Sequence, residues 1–436
     1  MQSKITPGSP VRVMHLASGI KPLGFTLVLL TALLFSCAEK PVFRKETHYP
    51  RIKQPAVTVK LLETDNSLKI SSGNSFEVRC YPPEGKPSVY YTTAEMEVEL
   101  TADGLAVNQK PQGMMETDLC RVAFLSQAEK NCLYLNGKPY RGVLEITLKP
   151  EAKSLLVCNV VNLEDYLKGV VPAEIGKLGQ AEFEALKAQA IASRTYALFR
   201  ASQNGDREYD LEATVSDQTY SGVEVEDLLV NRAIQLTRGK VLTYNDKLIC
   251  SYYSTNCGGK TEYIEQVWDK PKEPYLISID DGAFCAWSKN YNWEERWTKE
   301  MLEKNLIRFL DSIQIFPDKL WGNLQDLKIK ERSPSGRVEW LEVITDKDTY
   351  PLRADKIRWA LKKSNGSSSI LPSTWFDLEI EKNGDNSIKQ VIARGRGNGH
   401  GVGMCQTGAI GMARAGYSFK DILTHYYAGV KIIKCY

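Results

Sequence analysis

Apolar and polar positions change period several times along the chain. Between residues 56 and 161 the apolar runs are short and β-like, at 57–62, 88–91 and 142–148, with Gly, Pro and Asn turns between them, which predicts a β-rich region. The period then becomes helical. Asn162 to Tyr166 leads into helical sequence, and residues 183–200 carry Phe183, Leu186, Ala190 and Ala197 at helical spacing, while Ala188, Ala192 and Thr195 offer a small-residue face for close packing. Strand signals return at 240–244 and 248–253, and a tryptophan-rich stretch occupies 268–297. A helical piece at 301–312, a strand at 338–344 and a loop at 364–369 follow. Residues 408–415 are again helical, and Ser418-Phe-Lys-Asp421 caps a last helix through Tyr427 that Gly429 stops. Strands before and after a helical block predict an α+β fold, a mostly antiparallel β core with the helices packed beside it.

The first 36 residues break this pattern. They contain Lys4, Arg12 and Lys21 with no acid, then an apolar run at 24–35 and Ser36-Cys37, as in a secretory signal. The run is shorter than the roughly 18–20 residues a spanning helix needs. Leu34-Phe35-Ser36-Cys37 resembles a bacterial lipobox, which would make Cys37 the lipidated first residue of the mature chain. Pro41, Pro50 and Pro55 among charged residues read as a tether over 37–55. The expected organisation is thus a signal at 1–36, the tether, a β-rich region at 56–139 and a main domain at 140–436. Removing the signal leaves 53 basic against 53 acidic residues. A neutral chain without binding motifs argues against a nucleic-acid partner.

The densest punctuation is the run from Gly395 to Ala409, which crowds six glycines around His400. Glycine at that density marks unusual dihedrals or close approach of the backbone to a ligand. The run lacks the Lys-Ser/Thr of a phosphate loop. Beyond the signal the histidines are His48, His400 and His425; neither a Gly-x-Ser-x-Gly elbow nor a His-Glu-x-x-His motif occurs. A carboxylate is then the expected proton carrier. Glu174, between apolar residues in Val170-Val-Pro-Ala-Glu-Ile-Gly176, is the candidate, the alternative being an ordinary surface Glu near a helix start.

Six blocks carry a resemblance: Y-L-K-G-V-V-P-A-E-I-G (166–176), E-A-L-K-A-Q-A-I-A-S-R-T-Y-A-L (184–198), S-D-Q-T-Y-S-G (216–222), S-T-N-C-G-G-K-T-E (254–262), G-N-G-H-G-V-G-M-C-Q-T-G-A (397–409) and I-L-T-H-Y-Y-A-G-V (422–430). In order and spacing the chain resembles the stage II sporulation protein D family, also called the amidase-enhancer family, from about residue 140 onward. The resemblance implies a glycan-binding cleft and a lytic transglycosylase acting on peptidoglycan strands, with Glu174 as acid and base and no required cofactor. It places Ser193, Arg194, Tyr196, Gln218, Tyr220, His400, Gln406 and Tyr426 as substrate-binding positions. Ser193 stands where the family more often has Ala. Arg194 is open to a second reading as a structural ion pair, and His400 to one as a structural hydrogen bond inside the glycine loop.

Nine cysteines follow Cys37, an odd number. Cys250, Cys257, Cys285 and Cys405 fall on or beside the blocks and form a candidate zinc set, since some family members carry metal near the cleft. Asn256 is an extra residue before Cys257 and shifts the spacing; a disulfide such as Cys257 to Cys285 is the alternative. Two functions stay in competition: a lytic transglycosylase, and a non-enzymatic wall-binding protein that enhances a cell-wall amidase. A metal-dependent hydrolase using the cysteines and His400 is a third. Either leading reading sets the chain in the cell envelope, anchored to a membrane through its lipid.

Overall fold

Strand Ser154–Asn162 is buried at every position except its last, so it must lie between neighbours and under cover on both faces. The computed structural model, which describes residues 49, 55–109, 115–128, 131–205, 207–313, 321–367 and 369–436, places it so. It pairs antiparallel with Ala56–Thr64 on one side and Val143–Lys149 on the other. The seven-stranded sheet continues through Arg121–Ser126 and Phe76–Tyr81 to Ser88–Thr92, while Leu211–Glu212 adds a short parallel edge beyond Ala56–Thr64. A six-stranded sheet built from residues 68–140 closes over it, and Val59, Ile70, Phe76, Val98, Phe124 and Ile146 share one interior. The fold is α+β, with a β-rich N-terminal region.

Among the described residues seven α-helices occur: α1 (Leu163–Ile175), α2 (Phe183–Ser202), α3 (Leu228–Leu236), α4 (Lys299–Ser312), α5 (Asp355–Leu361), α6 (Gln406–Arg414) and α7 (Phe419–Tyr426). Helix α2 is buried on almost every face and packs against α1, α3, α6 and α7. Its small residues permit those close approaches: Ala185, Ala188, Ala190, Ala192 and Ala197 are all buried. The same core holds the strands of the β-rich region and these helices. The boundary expected at 139/140 therefore separates no cores, because 143–149 and 154–162 lie mid-sheet among earlier strands.

A second core does exist, and the sequence did not announce it. Trp297, Leu302, Leu306, Leu341, Val343, Ile357 and Val391 cluster apart from the first core, between α4, α5 and two three-stranded antiparallel sheets. Strands Asn292–Thr298 and Ile388–Arg396 pair with Asn292 opposite Arg396. The chain thus enters and leaves this unit at neighbouring points, the geometry of an insertion. The expected single domain at 140–436 is a body interrupted by an inserted unit at about 292–396.

Most predicted elements appear within a residue or two. The strand expected over 248–253 does not: only Lys247–Leu248 and Tyr253–Ser254 are extended, because the second leaves its neighbour to pair in parallel with Met404–Cys405. No helix among the described residues is long and apolar enough to cross a membrane. The signal, Cys37 and the tether lie outside the described residues, Tyr49 and Pro55 excepted.

Candidate active site

Glu174 sits in the last turn of α1, not at a helix start. Gly176 ends that helix at φ 85°, and its N–H closes on the carbonyl of Pro172 at 3.1 Å, which glycine adopts without a Cβ clash. The carboxylate faces a cleft of about 1570 Å³ between the body and the inserted unit. It accepts the backbone N–H of Thr219 at 2.6 Å. Burial pushes its pKa up against the opposing hydrogen bonds from Thr219 and Gln406, and the negative end of the α1 dipole adds to that direction.

The other carboxylates on the cleft are held differently. Asp217 pairs with Arg200 at 3.0 Å, Asp355 with Arg358 at 2.8 Å and Glu339 with Arg353 at 3.3 Å, while Asp269 is exposed. Glu174 alone combines partial burial with purely neutral donors. Such a group keeps its proton to higher pH and can deliver it to a substrate oxygen.

Of the expected substrate-binding residues, Tyr196, His400 and Gln406 line the cleft with Glu174. Tyr196 is only 4% exposed and donates to Asp217 at 2.9 Å. Ser193 and Gln218 lie one layer below. Gln218 donates to the Tyr253 hydroxyl at 2.9 Å and accepts from Tyr166 at 3.1 Å, and Gln189 donates to Ser193 Oγ at 3.0 Å. They orient Tyr253, a cleft residue that no sequence signal singled out although it adjoins the S-T-N-C-G-G block.

Three further positions expected on the substrate also lie away from the cleft, and for Arg194 the ion-pair alternative is the one found. Arg194 is fully buried and forms a bidentate pair with Glu164, at 2.9 and 2.8 Å, while also donating to the carbonyls of Lys240 and Ile234. It fastens α2 to α1 and does not reach the cleft. Tyr220 packs between Tyr140 and Tyr166 and donates to Asn159 at 2.8 Å. Tyr426 is fully buried and donates to Asp281.

The glycine run turns out to be packed against protein. A Cβ on Gly401 would meet the Arg337 guanidinium at 2.6 Å, and one on Gly403 the Tyr252 carbonyl at 2.1 Å. His400 is tied into this scaffold: Nδ1 accepts the N–H of Val402 at 3.0 Å, and Nε2, the remaining donor, meets the carbonyl of Tyr253 at 3.0 Å. Burial lowers its pKa to about 4. The ring packs against Trp268 at a tilt of 49°, with centroids 4.9 Å apart, so it shapes the cleft wall and has no free nitrogen for proton transfer.

The cysteines regroup as well. Cys257, Cys285 and Cys405 converge with Asp281, their ligand atoms all within 4.8 Å, and all four residues are buried. Cys250 is not among them; Asp281 takes its place. The Cys257 and Cys285 sulfurs are 3.7 Å apart, too far for the ~2.05 Å of a disulfide but close to the ~3.8 Å edge of a tetrahedron with ~2.3 Å zinc–sulfur bonds. Backbone N–H groups of Cys257 and Gly408 each point at Cys405 Sγ from 3.2 Å. Hydrogen bonds from Cys257 and Cys405 draw the Cys285 thiol down while burial pushes the Cys257 and Cys405 thiols up, so the cluster favours one thiolate at its centre. Three sulfurs and a carboxylate fit a closed zinc site. The extra Asn256 braces it, its amide donating to the Cys285 carbonyl at 3.1 Å and its N–H to Asn398 at 2.9 Å.

This geometry can be set beside known proteins. The family profile described as Stage II sporulation protein matches residues 151–244, the segment carrying α1, α2 and Glu174. Stage II sporulation protein D of Bacillus subtilis is 30% identical over 311 residues, 66% of this chain and 80% of that protein. The chain belongs to the stage II sporulation protein D family. An uncharacterized protein of Brachyspira hyodysenteriae is 33% identical over 306 residues, 69% of this chain and 73% of that one. The amidase enhancer of Bacillus subtilis is 29% identical over 328 residues, 69% of this chain but 45% of that protein's length. A domain of unknown function matches residues 285–403, which coincide with the inserted unit. The family segment supplies Glu174, Tyr196 and Asp217 to the cleft, and the segment matched by the domain of unknown function supplies Trp340, Trp359 and His400.

Proposed function

We propose that this chain is a peptidoglycan lytic transglycosylase of the cell envelope in which Glu174 serves as both acid and base. The observation that carries the reading is that Glu174 faces the cleft with its pKa raised by burial and without a cationic partner, while Asp217, Glu339 and Asp355 are each paired with an arginine. As acid it protonates the oxygen between MurNAc and GlcNAc. As base it then takes the proton from the MurNAc 6-hydroxyl, which attacks the anomeric carbon and closes a 1,6-anhydro ring. The substrate supplies the nucleophile, so the second carboxylate of ordinary glycoside hydrolysis is unnecessary. The test is digestion of purified glycan strands, peptide-bearing and denuded, with mass analysis for anhydro-MurNAc ends. Wild type should yield them and Glu174→Gln should lose at least about 10²-fold in rate; equal yields from both would overturn the reading.

The likeness to an amidase enhancer supports a second reading, a wall-binding protein that stimulates an amidase without cutting glycan. Under it, Glu174→Gln stimulates a purified cell-wall amidase as well as wild type does, and neither yields anhydro ends. In both readings the chain is held at a membrane by a lipid on Cys37. Cys37→Ala should move it from the membrane pellet to the soluble fraction of lysed cells.

We further infer that Cys257, Asp281, Cys285 and Cys405 hold a zinc ion. Zinc there would be structural, since all four positions are filled by protein and none is left for a water or substrate.

A further inference from the structure

The chemistry proposed above uses only the body side of the cleft, yet nearly half of its lining comes from the inserted unit. There Trp359, on α5, is 47% exposed, which is unusual for so large an apolar ring. Its Nε1–H donates to Asp355 Oδ2 at 3.1 Å; Asp355 is in turn held by Arg358, whose Nε donates to the Leu371 carbonyl at 2.9 Å. The ring is fixed in orientation while its surface stays open to the cleft. A braced, exposed tryptophan is a stacking platform with a polar handle already satisfied. Trp340 and, from the body, Trp268 line the same space.

Charge on this wall has one sign to spare. The arginines are paired, Arg353 with Glu339 and Arg358 with Asp355. Lys356 and Lys363 line the cleft and have no ion-pair partner among the described residues. The cleft volume, about 1570 Å³, exceeds the ~300–1,000 Å³ of a site for one small ligand. It has room for several sugar rings.

We propose that the inserted unit is a glycan-binding jaw, in which Trp359 stacks on a sugar ring and Lys356 and Lys363 engage carboxylates of the same strand, away from the linkage at Glu174. This rests on the reading of the cleft as a glycan site. The ligand is an anionic amino-sugar polymer, and its carboxylates have two sources, the lactyl groups of MurNAc or the stem peptides attached to them.

The experiment measures binding rather than turnover, with the whole mature chain carrying Glu174→Gln. Three probes are titrated: denuded glycan strands, peptide-bearing strands and neutral chitin oligosaccharides. Trp359→Ala should weaken all three by about tenfold or more, and Trp359→Phe should restore most of the loss. The double change Lys356→Ala, Lys363→Ala should weaken at least one of the two charged probes and leave chitin unaffected, with a flatter salt dependence. Loss confined to denuded strands assigns the lysines to lactyl carboxylates; loss confined to peptide-bearing strands assigns them to stem peptides. Unchanged affinity of both folded variants for every probe overturns the jaw. Absence of anhydro ends from wild type, with these affinity losses intact, overturns only the transglycosylase chemistry.

Discussion

Glu174 makes a prediction in two directions. Its folded pKa lies above the unfolded value of ~4.3, so between the two the native state holds a proton that the unfolded chain has released. Stability then falls as pH rises through that window, and the site carries a cost at neutral pH. Glu174→Gln should therefore raise the melting temperature at pH 7, with the gain vanishing below about pH 4, while turnover is lost; a variant melting like wild type at pH 7 would mean the carboxylate is not desolvated. Turnover should also fall on the alkaline side as Glu174 loses the proton it donates. His400 works the other way. With its pKa depressed to about 4 by burial, it remains neutral at physiological pH and destabilises the fold only as pH drops from ~6.5, where the unfolded imidazole binds a proton that the folded one refuses. Its removal should loosen the glycine loop and weaken turnover in part, and the pH–rate curve of His400→Gln should keep the same alkaline limb.

Elements show why some residues were legible in sequence and others not. The helical period over 183–200 announces α2, because an apolar stripe and small-residue face must be buried together. Glu174 was findable as an acid flanked by apolar residues. Arg194 was not, since an arginine inside a motif reads alike as a ligand or as a tie. Its partner Glu164 lies 30 residues earlier, on a different helix. The pair is buried and bidentate, so removing one partner strands the other charge at a cost of about 3–5 kcal/mol. Arg194→Met and Glu164→Gln should each lower unfolding free energy by about that amount in denaturant melts, and whatever protein remains folded should bind glycan normally. The inserted unit was illegible for a related reason: its ends meet through the pairing of Asn292 with Arg396, about a hundred residues apart, and periodicity carries no record of such a contact. Asp281 was hidden among many acids while the cysteines stood out by their rarity, although an acid four residues before Cys285 was a usable signal.

Across the whole molecule, the cysteine cluster sits at the neck of the insertion. Cys257, Asp281 and Cys285 precede the inserted unit and Cys405 follows it, so a metal bound by all four closes a loop around the entire jaw. Cross-linking a loop of that length removes chain entropy worth about 4–5 kcal/mol by the loop-closure relation that applies to disulfides, and ions binding only the folded state add to stability by mass action. Purified protein should then contain one zinc per chain by elemental analysis. Asp281→Ala and Cys405→Ser should lose it, whereas Cys250→Ser should retain it, because Cys250 lies outside the cluster. Stripping the metal with a chelator should lower the melting temperature by several degrees, since ~1 kcal/mol shifts it by about 2–4 °C even in domains of 150–250 residues. Glycan affinity should fall with it, as the neck that sets the distance between Glu174 and Trp359 loosens. A metal-free protein whose mass is 2 Da short in that region would instead assign the sulfurs to a disulfide and require them to close from 3.7 Å, and chelation would then leave both melting and binding unchanged.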